Sequence, residues 1–141
     1  MNSVNMMKKK IPNKSTQNTK PKNVKKKVGP QTYDVNVSEP WFSLIKLGLK
    51  TIEGRLDRPP LSDMKKGDTI TFHNKDLGFD RSHSVKIASR KKYATIEEFL
   101  KTETIEKTLP GVDNMEDGVK VYRKFYSPER EREFGILAIR F

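Results

Sequence analysis

Three charged side chains crowd the run Gly48-Leu49-Lys50-Thr51-Ile52-Glu53-Gly54-Arg55. If the chain enters a strand near Thr51, Glu53 and Arg55 point to one face and Ile52 to the other, because strand side chains alternate. Lys50 then stands at the strand's entrance. An acid and a guanidinium on one face, with a lysine at the threshold, make a polar cluster able to hold a polar ligand. Lys50 can bind phosphate, or act as nucleophile or base if burial or a nearby cation lowers its pKa. Lys46 and Arg55 are the sequence-local cations. Glu53 can accept hydrogen bonds or serve as acid or base. Arg55 carries a planar fork suited to phosphate, carboxylate or a stacked base. Each also has a plain structural reading: a solvated helix-end lysine, or ion pairs of Glu53 that only fix the fold.

A second tier of candidates lies nearby. Glu39 falls at the start of the preceding helix, where a carboxylate is also favoured by the helix dipole alone. Phe42 lies off that helix's apolar stripe and is a candidate for stacking, whereas Trp41 reads as core. Arg81 and His83 alternate on one strand face, and Tyr122 and Tyr126 read as packing residues. His73 and His83 are the only imidazoles and there is no cysteine. Their spacing does not resemble a zinc site. No metal or cofactor is expected.

The elements that must position these residues are legible in outline. Tyr33, Val35 and Val37 alternate with polar residues as a first strand. Ser38 can cap a helix with Pro40 in its first turn, and Gly48 can end it in the left-handed conformation. A strand over Thr51–Leu56 stops at Pro59-Pro60. A turn at Lys65-Lys66-Gly67-Asp68 leads to a strand from Thr69 to Phe72. A hairpin loop at 74–78 precedes one long strand from Arg81 to Arg90. Thr95 and Glu98 form a capping box, with Ala94 and Phe99 as a hydrophobic staple. Met115, Val119, Tyr122 and Tyr126 mark another helix, which Ser127-Pro128 is expected to end. A last strand closes the chain from Phe134 to Phe141. Strands at both ends with helices between them point to an α+β fold.

Charge is unevenly distributed. Of the net +11, residues 1–32 carry +9, from nine lysines and no acid. The remaining 20 basic and 18 acidic residues leave +2 on residues 33–141. The folded part is therefore not basic enough to be assigned to nucleic acid on net charge. Residues 1–32 are too polar to offset their chain entropy and are expected to be disordered. Three readings stay open for this arm: a solubilising tail, a phosphate-attracting arm, or an import signal at Lys8–Lys10 and Lys25–Lys27. No apolar run approaches a membrane span, and the N-terminus lacks a signal-peptide core. An intracellular location, cytoplasmic or nuclear, is expected.

The pattern Gly-x-Lys-x-x-Glu-x-Arg resembles the signature of ASCH domains, a branch of the PUA-like superfamily. The lead-in Ser38-Glu39-Pro40-Trp41-Phe42-Ser43-Leu44-Ile45-Lys46 and the closing Phe134-Gly135-Ile136-Leu137-Ala138-Ile139-Arg140-Phe141 are similar to that family too. The likeness spans residues 33–141. The lysine- and asparagine-rich tail also looks like versions encoded by large DNA viruses of protists. The resemblance implies a small mixed β-barrel with packed helices, whose cleft the motif lines. It implies an RNA- or nucleotide-binding function, with Lys50, Glu53, Arg55, Glu39 and Phe42 as ligand-binding residues. The alternative it implies is an amidohydrolase acting on N4-acetylcytidine or a related acylated nucleoside, with Lys50 and Glu53 catalytic. Those enzymes carry threonine where this chain has Glu53, so Glu53 would have to activate water while Lys50 steadies the oxyanion. A protein-interaction domain is the third reading, favoured if a Lys50–Glu53 pair blocks the cleft.

Overall fold

The computed structural model describes residues 29–141; the lysine-rich arm lies outside them up to residue 28. The described part is mixed α+β, with six strands and five helices. The strands are β1 (Thr32–Asn36), β2 (Ile52–Leu56), β3 (Thr69–Asn74), β4 (Arg81–Lys86), β5 (Ser89–Tyr93) and β6 (Ile136–Arg140). The helices are α1 (Trp41–Lys46), α2 (Ile96–Glu103), α3 (Ile105–Thr108), α4 (Met115–Arg123) and α5 (Pro128–Phe134).

The ladders form two three-stranded sheets, β1-β3-β4 and β2-β6-β5, that do not close into the small mixed β-barrel the resemblance implies. β1 runs parallel to β3, with Val35 opposite Phe72, and β3 pairs antiparallel with β4. β6 pairs antiparallel with both β2 and β5. The expected long strand from Arg81 is divided between the sheets. It bends at Ile87 and Ala88, where the Ile87 N–H donates to the Asp68 carbonyl beside the first sheet and the Ala88 N–H to the Arg140 carbonyl in the second. Chain that switches sheets in this way makes the corner of a packed pair. Ser89 to Tyr93 is then a strand in its own right, running past the expected end at Arg90.

β6 is the hinge of the core. Leu137 and Ile139 pack into one apolar cluster with Phe42, Ile45, Ile70 and Phe72. Ile136 and Ala138 pack into the other with Ile96, Phe99 and Leu100. A strand buried on both faces reads as a continuous apolar run, which is what Ile136-Leu137-Ala138-Ile139 is.

Local signals account for most helix ends. α2 begins at Thr95, whose hydroxyl accepts from the Glu98 N–H at 3.0 Å. Ser127-Pro128 opens α5 instead of only closing the preceding helix: Ser127 accepts from the Arg130 N–H, and Pro128 takes the first turn, where its missing donor costs nothing. Ser38 does not cap α1 with its side chain; the Glu39 carboxylate takes that role, accepting from the Ser43 N–H at 2.9 Å and its hydroxyl at 2.6 Å. α1 ends as expected. Gly48, at φ +80°, donates to the Ile45 carbonyl and Leu49 donates to that of Leu44, the paired bonds of a Schellman close. That turn delivers Lys50 into the interior.

Candidate functional site

The two sheets are joined on one side by the β4–β5 bend. On the other side β1 and β2 share no ladder, and the Arg55 guanidinium spans the break, donating to the Asn36 carbonyl at 2.6 Å. A cleft lies there, with about 450 Å³ of open space including its mouth. Asn36, Val37 and Ser38 line it from the end of β1, and Lys50, Glu53, Gly54 and Arg55 from the motif. Trp41 comes from α1, and Val121, Tyr122, Phe125 and Tyr126 from α4 and the turn after it.

The floor is a chain of charges. Lys50 is 1% exposed and Glu53 6%. The Lys50 ammonium donates to the Ile52 carbonyl at 2.7 Å and the Thr108 carbonyl at 2.5 Å, and lies 3.2 Å from one Glu53 oxygen. An ammonium has three N–H groups, so two are bonded to backbone and the charge is paired with Glu53. The other Glu53 oxygen accepts from Arg55 Nε at 2.7 Å. Glu53 therefore sits between two cations. Burial pushes its pKa up, but Arg55 and then Lys50 outweigh that, and the carboxyl is held below its usual range. Burial pulls Lys50 below the ordinary lysine range, an effect Glu53 partly offsets and Arg55 reinforces. Lys46, the other cation considered from sequence, is exposed and takes no part. Arg55 keeps about a fifth of its side chain exposed. Two of its five donors are engaged among the described residues, leaving donors that can face a ligand.

The walls are aromatic. Tyr122 and Tyr126 stack with ring centres 6.3 Å apart, and Phe125 lies against Tyr126. The Lys50 ammonium sits 5.9 Å from the Trp41 ring centre. Phe125 is 59% exposed. The Tyr126 hydroxyl donates to the Gly54 carbonyl at 3.4 Å, and burial pushes its pKa up to about 12. The buried Tyr122 hydroxyl lies near that carbonyl too but has no hydrogen-bonding geometry to any partner among the described residues. It is a polar atom of the lining with its bond unmade.

Gly54 makes this packing possible. A Cβ there would lie 2.7 Å from two ring carbons of Phe99 and 3.2 Å from Tyr122. The strand thus carries no side chain between Glu53 and Arg55, and the Tyr122 ring closes over it.

The sequence-derived set divides cleanly. Lys50, Glu53 and Arg55 are brought together as a unit. Glu39 and Phe42 are not part of the lining. Glu39 is tied to Ser43 and, at 3.0 Å, to Arg81. Phe42 is 1% exposed in the core, with the Arg81 guanidinium 4.9 Å from its ring centre, so its faces are already covered. Trp41, read from sequence as core, and Tyr122 and Tyr126, read as packing residues, supply the walls instead. Their helical spacing marks a buried face, and a cleft wall built from such a face has the same pattern. Among the described residues no group of His, Asp and Glu side chains is placed to hold a metal, and no helix is long and apolar enough to cross a membrane.

Comparison with known proteins agrees with the motif. The chain matches the ASCH domain over residues 35–141. It is similar to the crystal structure of hypothetical protein PH0355, at 40% identity and a TM-score of 0.69, over 77% of this chain and 95% of that one. It is also similar to the solution structure of protein PF0455 from Pyrococcus furiosus, at 36% identity and a TM-score of 0.61, over 77% of this chain and 94% of that one. No curated protein matches. With the matched region covering the strands, the cleft and the closing β6, the chain belongs to the ASCH domain family.

Proposed function

We propose that this protein is an RNA- or nucleotide-binding module that takes one nucleotide into the cleft between β1 and β2. The observation that carries the reading is the pairing of aromatic walls with a charged floor in one small depression. A base offers a flat π-face to Trp41 and Tyr126, the partly exposed aromatic walls, and stacking of this kind tolerates any base. Arg55 presents spare donors to a phosphate or a base edge. Glu53, held ionised, accepts from an exocyclic amine or ribose hydroxyl. We also read the two sheets as a PUA-like barrel left open at this point. An RNA partner implies a cytoplasmic or nuclear location.

The same atoms favour hydrolysis of N4-acetylcytidine less. Two of the three Lys50 N–H groups are tied to backbone carbonyls and the ammonium is already ion-paired with Glu53, so it is poorly placed to steady an oxyanion. Glu53, with its pKa lowered, is a weak base at neutral pH. Nor does the Lys50–Glu53 pair block the cleft, which would have favoured the protein-interaction reading; it forms the floor.

Trp41 is the only tryptophan in the chain, so its fluorescence reports the cleft directly. Titration with the four ribonucleoside monophosphates and short single-stranded RNAs is expected to quench it saturably. Tyr126→Ala is expected to weaken binding by about 1–3 kcal/mol, the worth of one base–aromatic stack. Unchanged fluorescence with every probe, or a Tyr126→Ala affinity equal to wild type, overturns the reading. Cytidine released from N4-acetylcytidine by wild type would establish the hydrolase instead.

A further inference from the structure

The cleft does not end at its own walls. On one side Arg55 and Tyr126 also line a second depression, shared with Arg58 and the Pro59-Pro60 turn. On the other, Ser38 and Phe125 also line a third, which continues to Asn74, Lys75 and Asp76, whose carboxylate accepts from the Asn74 side-chain amide at 2.9 Å. The three adjoin through shared side chains and make one open groove, with the aromatic cleft in the middle and an exposed cation in each arm. Arg58 is placed by packing, its guanidinium 5.4 Å from the Phe134 ring centre, and it is close enough to Tyr126 to influence that hydroxyl's proton. Phe125, largely exposed, stands where the cleft meets the Lys75 arm.

We infer that this groove holds a single RNA strand of about three nucleotides, with the cleft taking an internal base and Arg58 and Lys75 contacting the phosphates on either side. This rests on the reading of the cleft as a nucleotide site. A site for a free nucleotide needs one mouth and one cluster of cations. Here the cations lie in two separate arms that adjoin the cleft through different residues, and an exposed aromatic ring at one boundary offers a neighbouring base its face. The groove also has an end. Beyond Lys75 the next depression carries Asp34 and Asp80, both bonded to His73, and two carboxylates are a poor surface for another phosphate. That limits the footprint on this side.

The test compares ribonucleoside monophosphates with RNA trinucleotides and hexanucleotides on the full chain, by Trp41 fluorescence across a range of salt. The trinucleotide is expected to bind roughly tenfold tighter than the monophosphates and to show a steeper salt dependence. The hexanucleotide should gain little further in its response to Arg58 or Lys75. Arg58→Ala and Lys75→Ala should each flatten the trinucleotide's log–log salt slope by about 0.7, the share of one neutralised phosphate on a single strand. Arg58→Lys should restore it, which a purely packing role on Phe134 would not produce. Equal affinity for monophosphate and trinucleotide, or unchanged slopes in both alanine variants, overturns the groove while leaving the cleft in place. Loss of any Tyr126→Ala effect on every probe overturns the cleft itself.

Discussion

Lys50 is the residue on which the site's architecture turns, and for that reason it is a poor probe of binding. Its ammonium satisfies two backbone carbonyls and one side of the Glu53 carboxylate inside the protein. Removing one partner of a buried pair leaves the other uncompensated, which costs far more than the pair contributes. Lys50→Met is therefore expected to destabilise the fold by about 3–5 kcal/mol. Chemical denaturation checks this; a loss under about 1 kcal/mol would mean that water replaces the ammonium without penalty. Tyr126 and Arg55, both partly exposed, are the cleaner variants for affinity. The charged half of the site was legible in the sequence because Lys50, Glu53 and Arg55 have odd spacing for any single apolar face. The aromatic half was not, because a wall residue and a core residue share one signature: large, apolar and at helical spacing. Phe42 shows the reverse error. Off the expected stripe, it is nevertheless buried, since α1 is short and packs two faces, one of them beneath Arg81.

At the scale of elements, β2 carries both a cleft-facing edge and a packing face, and Gly54 reconciles them. Gly54→Ala puts a methyl 2.7 Å from the Phe99 ring, which is closed in by Tyr122 at 5.5 Å and Tyr93 at 6.0 Å between ring centres. The ring cannot swing away freely, so the variant is expected to lose about 1–3 kcal/mol, as overpacked cores do. It should also shift Tyr122 and change Trp41 emission; a variant as stable as wild type with the same emission would show that the ring yields. β1, β3 and the hairpin loop are held by a different device, His73 bridging Asp34 at 2.8 Å and Asp80 at 3.0 Å. The two carboxylates raise the His73 pKa above its ordinary 6.5, with burial a smaller opposing influence. The folded state thus binds a proton more tightly than the unfolded chain. The stabilisation is complete below about pH 6.5 and is lost as pH rises through the raised value. Melting temperature should fall over that window in wild type and stay flat in His73→Gln. The effect should shrink in high salt, since both carboxylates are exposed. Most element boundaries followed from local chemistry: the Thr95 cap, the Gly48 close and the strand alternation. The misreadings at Ser127-Pro128 and at Arg81–Arg90 share one cause. Proline marks either edge of a helix, and an unbroken polar-apolar alternation does not reveal that a strand changes sheets.

For the whole molecule, the decisive feature is that the two three-stranded sheets of the described residues share no ladder, and that β1 and β2, unlike β4 and β5, are not joined by a chain bend either. The cleft occupies the gap between β1 and β2, so pairing those two strands by backbone hydrogen bonds would erase it. No pattern of residues within one strand encodes that gap; it depends on which strands become neighbours. Charge shows a similar division of labour. The described part is nearly neutral, while nine lysines precede residue 28. A nearly neutral surface gives the groove little long-range attraction, and a lysine arm supplies attraction without sequence preference. Changing Lys8, Lys9, Lys10, Lys25, Lys26 and Lys27 to Gln in the full chain should therefore weaken RNA binding at low salt. It should flatten the salt slope by up to about 4, at about 0.7 for each phosphate no longer neutralised. The ratio between wild type and Tyr126→Ala should survive the change, because stacking in the cleft does not depend on the arm. If the slope stays as steep, the groove itself holds more phosphates than Arg58 and Lys75 account for. If the Tyr126→Ala ratio collapses with the lysines, the arm and the cleft act on one ligand as a coupled unit rather than in parallel.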